Sequence, residues 1–501
     1  MRIPLMLPPI GGRYHTKGEM STALPATREL RKAPLRRVDW TRLEGKLNLA
    51  SAPSSGMISS AQVEGLSCSM TRPRISILTH GCRTNQYESD AMRRSLASEY
   101  ADVSGEADVY ILNGCTVTAL AERKARQAAR RLRRKSPGAL VILIGCVADA
   151  VVQNLTRFDE ADLIAGGAWK HQIGTVIAAG LDGVRGVLPE PPASVTLDSQ
   201  RSDGPRGRVR ALLKIQDGCS LACTYCRPTQ MRGPSQSKSI AAAVAEAHAL
   251  VEHGFPEIVL TGINIAQYAP AGARLHNLAD SILRAPKLLR LRIASINPSG
   301  ITDALLDAFC ADARLCPHFH IPLQSGDNRV LATMSRGYTA AEYQRCIARV
   351  RNRLPHATFG ADVMVGFPGE DERAFASTCA VVEHVGFSNL HIFRYSPRPG
   401  TPAACLAHPV PEAEKRRRAE LLESAWRSRL RGLLDNRIGT TQDVLVEERR
   451  DGRLCGYTRD YMYASFDSTA EIPIGVERAV RITGAAEDHL RGEDDDRDGT
   501  G

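Results

Sequence analysis

Long hydrophobic runs are missing from this sequence. The longest apolar stretch, Leu140 to Ala148, falls far short of the ~20 residues a membrane helix needs, so no transmembrane segment and no membrane partner are predicted. Cysteine is too sparse for a disulfide scaffold, and its count of 13 is odd, which predicts a reducing compartment and hence the cytoplasm. The N-terminal MRIPLMLPPIGGRYH has no sustained apolar stretch before Gly11 and is followed by Glu19, Glu29 and Asp39. That pattern fits neither a secretory signal nor an acid-free transit peptide. A strong charge imbalance is absent too: 65 Lys and Arg against 55 Asp and Glu leave +10, compatible with a polyanionic partner but insufficient to name one. What remains, at 43% hydrophobic and 24% charged residues and a mean hydropathy of -0.22, is a soluble globular chain, not collagen, coiled coil or miniprotein.

Residues 1–69 hold ten Lys and Arg against five acidic residues without a helix or strand period, and read as a disordered extension or a mis-called gene start, with MTRPRISILTHGC opening afresh at Met70. From 72 to 182, strand-like runs (Ile75 to Leu78, Val109 to Leu112, Val141 to Ile144, Leu163 to Ala165) alternate with Ala-, Arg- and Glu-rich segments, predicting an α/β domain with a parallel sheet. A linker is expected over 183–208, around Pro189, Pro191, Pro192 and SDGPRGR. Over 209–436 six strands, Ala211 to Ile215, Glu257 to Thr261, Leu289 to Ala294, His318 to Pro322, Ala361 to Gly366 and Leu390 to Tyr395, predict a partial (βα)6 barrel with its site at the strand C-termini. The short β-rich pieces of 437–485 predict a small antiparallel barrel, and 486–501 an acidic disordered tail.

KIQDGCSLACTYCRP places Cys219, Cys223 and Cys226 in a C-x3-C-x2-C loop directly after a strand. Iron–sulfur clusters are usually held by four thiolates, so three in a tight loop leave one iron open to another ligand. A structural zinc would need a fourth Cys or His, and none lies between Asp217 and Pro234. A second triad emerges when strand ends are compared: SILTHGC, VYILNGC and VILIGC each deliver a cysteine, Cys82, Cys115 and Cys146, right after a strand and a glycine. In a parallel sheet these three converge on one edge, where Gly81, Gly114 and Gly145 permit tight turns. Cys68, Cys310, Cys316, Cys346, Cys379, Cys405 and Cys455 show no such grouping and read as structural.

The chain resembles the radical S-adenosylmethionine methylthiotransferases over about residues 72 to 485. The N-terminal module is similar through GCRTNQYESD, NGCTVTALAERKARQ and GC; the radical domain through DGCSLACTYC, EIVLTGIN, PHFHIPLQSG and DVMVGFPGE; the end of the chain resembles the RNA-binding TRAM barrel. Asn85-Gln86-Tyr87-Glu88-Ser89 after Cys82 looks like the bacterial branch acting on N6-threonylcarbamoyladenosine in tRNA. Arg227, Asn264 and Asn297 depart from the family's usual residues.

The resemblance implies a 4Fe–4S cluster on Cys219, Cys223 and Cys226 that binds and cleaves S-adenosylmethionine. It implies a second, sulfur-donating 4Fe–4S cluster on Cys82, Cys115 and Cys146, with two cofactor molecules per product. Tyr225, Thr261, Gly262, Ser295, Gln324, Asp362 and Gly366 are placed by it in the cofactor pocket, although GFPGE alone is explained by a turn. The cofactors carry the hard chemistry, so no side-chain acid or base is assigned. The implied partners are tRNA and a flavodoxin- or ferredoxin-type electron donor, for a monomeric enzyme. Glu122 to Lys135, with eight basic residues in fourteen, the basic helix Glu412 to Arg431, and Tyr457, Tyr461, Tyr463 and Phe466 are candidate RNA contacts. The alternatives are methylthiolation of isopentenyladenosine in tRNA or of a ribosomal protein, and a non-catalytic iron–sulfur RNA binder, which would have no use for open irons.

Overall fold

Alternating hydrophobic strands and amphipathic helices give two α/β units followed by a β-barrel in the computed structural model, which describes residues 72–191 and 196–495. The expected extension 1–69, Cys68 and the last acidic residues lie outside the described residues. Strands β1 (Arg74–Thr79), β2 (Ala101–Asp102), β3 (Val109–Asn113), β4 (Leu140–Ile144), β5 (Leu163–Ile164) and β6 (Gly186–Val187) form a parallel sheet in the order β2-β1-β3-β4-β5-β6. Its two faces bury alternate residues. Ile75, Ile77, Val109, Ile111 and Ile142 pack on one side, while Leu112, Val141 and Leu143 meet Ala125, Ala129 and Leu132 of the helix Ala119–Lys135 on the other. Such double coverage is what a parallel sheet requires. The two-residue edge strand β6 falls inside the expected linker, because Val187 and Leu188 are drawn into the core.

The second unit holds the six expected strands: β7 (Arg210–Lys214), β10 (Glu257–Thr261), β11 (Arg290–Ile293), β12 (His318–His320), β13 (Thr358–Val365) and β14 (Asn389–Arg394). They form parallel trios, β11-β10-β7 and β12-β13-β14, joined by parallel bridges Leu291 to Leu315 and Ser295 to His320. The outcome is the open six-strand barrel expected from the sequence. A short antiparallel pair, β8 (Gln216–Asp217) with β9 (Gln236–Ser237), pinches the loop that carries Cys219, Cys223 and Cys226.

The last unit is a closed barrel of β15 (Thr441–Arg450), β16 (Arg453–Thr458), β17 (Tyr463–Asp467), β18 (Glu477–Ala485) and β19 (Leu490–Asp494), ordered β15-β16-β17-β19-β18. It differs from the expectation in two ways: β17 and β19 pair in parallel, and β19 lies in the segment assigned to the acidic tail. Leu490 is buried and Asp494 is held by a two-point contact with Arg478, so part of the acidic run is spent on barrel closure.

Candidate functional site

Strands β1, β3 and β4 end flush, Thr79 beside Asn113 and Asn113 beside Ile144. Cys82, Cys115 and Cys146 therefore leave the sheet at one edge, as the parallel-sheet argument required. Gly81 has φ +126°, and a Cβ there would strike Cys115, so only glycine lets the first turn lie against the second cysteine. Burial, then the nearby Cys82 and Cys146 sulfurs, push the Cys115 thiol up to about 12. Burial also pushes Cys146 up, against the pull of Arg232 and Lys170. Two buried thiols whose ionisation the neighbouring sulfurs oppose, with Cys82 beside them, make a donor set suited to a cationic core.

The other triad lies in the loop closed by β8 and β9. Gly218 has φ +65°, and a Cβ there would collide with the Pro234 carbonyl. Each sulfur meets a polar donor. Asn264 Nδ2 stands 3.7 Å from Cys219 Sγ, Arg336 Nη1 3.4 Å from Cys223 Sγ and Thr229 Oγ1 3.0 Å from Cys226 Sγ. Donors of this kind stabilise thiolates and tune a bound cluster. Among the described residues, His320, Asp362 and His391 bring three ligand atoms within 4.8 Å of one another, and neither cysteine triad does. A tetrahedral zinc with bonds of about 2.3 Å would hold its sulfurs closer than that; a polynuclear cluster fits the wider spacing.

Residues without a sequence signal join the two triads. Glu88 is buried and accepts from Lys214 Nζ at 2.9 Å, from Arg232 Nη1 at 2.7 Å and from Lys170. Arg232, at the end of the helix Arg227–Arg232 that follows Cys226, also donates to Asp217 at 2.8 Å and to Asn85 Oδ1 at 2.7 Å. Burial opposes ionisation of Glu88, but Arg232, Lys170 and Lys214 hold its carboxyl well below the usual range. Tyr87 donates to Glu246 at 2.8 Å and Arg208 to Gln86 at 3.3 Å. The Asn85-to-Ser89 motif is thus an inter-domain lock: its side chains are spent on protein partners, so it does not read the substrate directly. A second strap is Arg398, which donates to Thr116 Oγ1 at 2.8 Å and pairs with Glu122. Arg227 is buried beneath it, donating to the Pro399 carbonyl while its Nε and Nη2 have no partner among the described residues.

The pocket candidates separate into groups. Tyr225 packs edge-on to Phe367, ring centres 6.4 Å apart, and lies 3.4 Å from Arg336 Nη1. Thr261 is buried at the end of β10, and Gly262 lies against Gln216, whose Oε1 accepts from the Ile263 and Asn264 amides at 3.0 and 2.8 Å. Gln216 Nε2 donates to the Gly218 carbonyl at 2.7 Å, tying the cysteine loop to this turn. Ser295 bridges to β12 and Gln324, at φ +65°, to β13. Asn297 accepts from Arg336 Nη2 at 2.9 Å. At Gly366 the space a side chain would need is filled by Lys415, and its amide donates to Glu370 at 2.9 Å. Asp362 faces two histidines, His320 Nε2 at 3.2 Å and His391 Nδ1 at 3.1 Å, partners that no sequence motif announces.

The RNA candidates are also redistributed. Tyr457 and Tyr461 stack at 4.7 Å, with Arg210 over Tyr457 at 4.7 Å and Arg292 over Tyr461 at 4.8 Å; Phe466 is core. These rings seat the small barrel on the floor of the large one instead of offering stacking platforms. Tyr463 is half-buried against Tyr457. On the helix Glu412–Asp435, Arg417, Arg418, Arg427 and Arg431 are engaged by acidic partners. On Ala119–Lys135, by contrast, Arg123, Lys124, Arg131, Arg134 and Lys135 stay exposed, and Lys124 is felt at His80, two residues before Cys82.

Residues 74–166 match the Uncharacterized protein family UPF0004, 213–382 the Radical SAM superfamily and 436–493 the TRAM domain. The chain is 33% identical over 419 residues to the threonylcarbamoyladenosine tRNA methylthiotransferase MtaB of Thermotoga maritima, covering 83% of this chain and 95% of that protein. It is 34% identical over 442 residues to the tRNA-2-methylthio-N(6)-dimethylallyladenosine synthase of Alkalilimnicola ehrlichii, covering 84% and 97%. Its fold is similar to the radical S-adenosylmethionine methyltransferase TsrM of Kitasatospora setae, at a TM-score of 0.50 and 18% identity over 67% of this chain and 75% of that one. Among the described residues no helix is long and apolar enough to cross a membrane.

Proposed function

Because the chain belongs to the radical S-adenosylmethionine methylthiotransferases, we propose that it adds a methylthio group to C2 of N6-threonylcarbamoyladenosine beside the anticodon of tRNA. The observation that supports this reading is Arg232, which ends the helix after Cys226, bonds to Asn85 and Glu88 just after Cys82 and acts on Cys146, so that side chains of the two cysteine loops meet through it. Cys219, Cys223 and Cys226 would hold the 4Fe–4S cluster of the superfamily, and Cys82, Cys115 and Cys146 a second one. When bound, these clusters and two molecules of S-adenosylmethionine per product supply the radical and sulfur chemistry.

The protein's own residues bind and orient. Asn264, Arg336 and Thr229 place donors against the radical-cluster sulfurs. Tyr225, backed by the buried Phe367, would face the cofactor, with Thr261, Gly262, Ser295 and Gln324 at the strand ends around it. Gln216 fixes the cysteine loop to the turn at Gly262. The exposed arginines and lysines of Ala119–Lys135 supply phosphate contacts beside Cys82. The enzyme works as a cytoplasmic monomer with a flavodoxin- or ferredoxin-type donor.

Nucleoside mass spectrometry of tRNA from cells with and without the protein tests the reading. The expected result is loss of the 2-methylthio derivative of threonylcarbamoyladenosine and accumulation of its precursor. Loss of methylthiolated isopentenyladenosine would reassign the enzyme to the sister activity, and an unchanged tRNA profile would refute the RNA reading.

A further inference from the structure

Alternation along the second strand trio puts one set of side chains inside the large barrel. Phe359, Ala361, Val363 and Val365 pack outward into the helix-covered core, as do Phe319 and Leu390, so Gly360, Asp362, Met364, His320 and His391 face the interior. There Asp362 Oδ1 stands 3.2 Å from His320 Nε2 and 3.1 Å from His391 Nδ1, with the two rings 5.3 Å apart. A Cβ at Gly360 would stand 2.9 Å from His320 Nδ1, so glycine keeps that nitrogen open. The Nε2 of His391 has no protein partner among the described residues.

Side-chain contacts link this trio toward both cysteine loops. Toward the radical loop, the Asp362 charge is felt at Tyr338, whose hydroxyl accepts from Arg336, the arginine that donates to Cys223. Toward the floor, His318 lies tilted against Tyr461, ring centres 4.9 Å apart, and Arg83, the neighbour of Cys82, reaches the Tyr461 hydroxyl at 3.4 Å. Burial and then the positive field of Arg292, His320, Arg83 and His391 hold His318 well below the usual histidine range. The interior is therefore electropositive, with Asp362 as the acid placed between the two histidines.

Resting on the substrate reading above, we infer that His391, oriented by Asp362 and assisted by His320, binds the carboxylate of the threonylcarbamoyl group. Asp362 accepts the Nδ1 hydrogen of His391. The outer Nε2–H of His391 then meets the anion, with Asp362 as counter-ion behind the ring, in the positive field that Arg83 and Arg292 cast on neighbouring His318 and beside Tyr338. A dimethylallyl group offers this trio neither charge nor acceptor. His391 is thus a specificity-determining residue.

The test is anaerobic fluorescence anisotropy with the cluster-loaded full chain. It uses an anticodon stem-loop RNA bearing threonylcarbamoyladenosine and the same RNA with the threonyl carboxylate replaced by a carboxamide. The wild type should bind the carboxylate about tenfold more tightly, the scale of one hydrogen bond to a charged group. His391→Phe should bring that ratio near one. His391→Asn, which keeps an amide toward Asp362 but lacks the outer nitrogen, should do the same. Equal binding of both RNAs by the wild type, or a preference that survives both substitutions, overturns the subsite. If the wild type acts on threonylcarbamoyladenosine RNA yet shows no carboxylate preference, the subsite falls and the substrate reading stands. Activity on isopentenyladenosine RNA alone sinks both.

Discussion

Arg336 donates to Cys223 with one nitrogen, to Asn297 with another and to Tyr338 with its Nε, so protein contacts alone fix its guanidinium against the sulfur. Loss of a charged donor to a cluster sulfur makes the reduced, more negative cluster harder to form. Arg336→Met should therefore move the midpoint potential of the radical cluster to more negative values, read by electron paramagnetic resonance during a redox titration. An unchanged potential would mean that the arginine only packs. The cysteines divide by role at the same scale. Cys223→Ala should abolish 5'-deoxyadenosine formation, whereas Cys115→Ala should lose methylthiolated product while still cleaving S-adenosylmethionine; equal loss of both activities in both variants would count against two separate clusters. These six sulfurs were legible in the sequence because a strand end announces its position. Arg336, Arg232, Gln216 and His391 were not, since their partners come from strands and loops far away in sequence and no periodicity encodes such a pairing.

Among the elements, two basic helices that look alike in sequence differ in what their charges do. Glu412–Asp435 pairs most of its arginines within one or two turns or with Glu370 and Glu372, whereas Ala119–Lys135 turns Arg126, Arg130 and Arg133 toward Glu160 and Asp162 and leaves another face exposed. Replacing Arg131 and Arg134 by Gln should flatten the salt dependence of tRNA binding by about 0.7 to 0.9 logarithmic units for each phosphate-binding side chain removed. Replacing Arg427 by Gln should not alter the slope, and a slope unchanged by the first pair would remove this helix from the RNA interface. The turn between β16 and β17 carries a different consequence. Arg290 donates to the Tyr457 and Asp443 carbonyls at 2.8 Å each, and Arg292 to the Arg459 carbonyl at 3.0 Å. Removing residues 438–501 would strip buried arginines of these acceptors, so that truncation should destabilise the radical domain as well as weaken RNA binding. Tyr461→Ala is the milder probe. It removes the Arg292 cation–π contact and the stacking on Tyr457, a cost of about 1–3 kcal/mol, visible as faster proteolysis at the boundary near residue 437. The core strands were legible from their hydrophobic runs. The two-residue edges β2 and β6 were not, and β19 was hidden because its acidic residues resemble a solvated tail until Arg478 supplies the pairing.

For the whole molecule, the separation of the two cysteine loops rests on a few buried charges. Glu88 meets Lys170, Lys214 and Arg232, with Asp217 sharing the last two, and these groups come from both α/β domains. Breaking one partner of a buried pair typically costs about 3–5 kcal/mol, because the charge left behind keeps its desolvation penalty. Glu88→Gln leaves Lys214 and Arg232 facing Asp217 alone and takes away the carboxylate that meets Lys170, so the expected result is a clear fall in the thermal midpoint of the cluster-loaded protein. The exposed pair Arg427 with Glu423 supplies the comparison: Glu423→Gln should change stability by no more than about 0.5 kcal/mol. The location of the loss distinguishes a lock from generic destabilisation. Arg232 and Lys170 both act on Cys146, so freeing them should loosen the second triad first. Iron and sulfide per chain after anaerobic reconstitution should then fall from about eight toward four, as ~4 per cluster implies, with the radical-cluster signal retained. A variant that unfolds less readily than expected yet keeps both clusters would show that the two domains are held by Arg398 and the barrel floor instead; one that loses both clusters together would show that Glu88 supports the fold as a whole and not the spacing of the two loops.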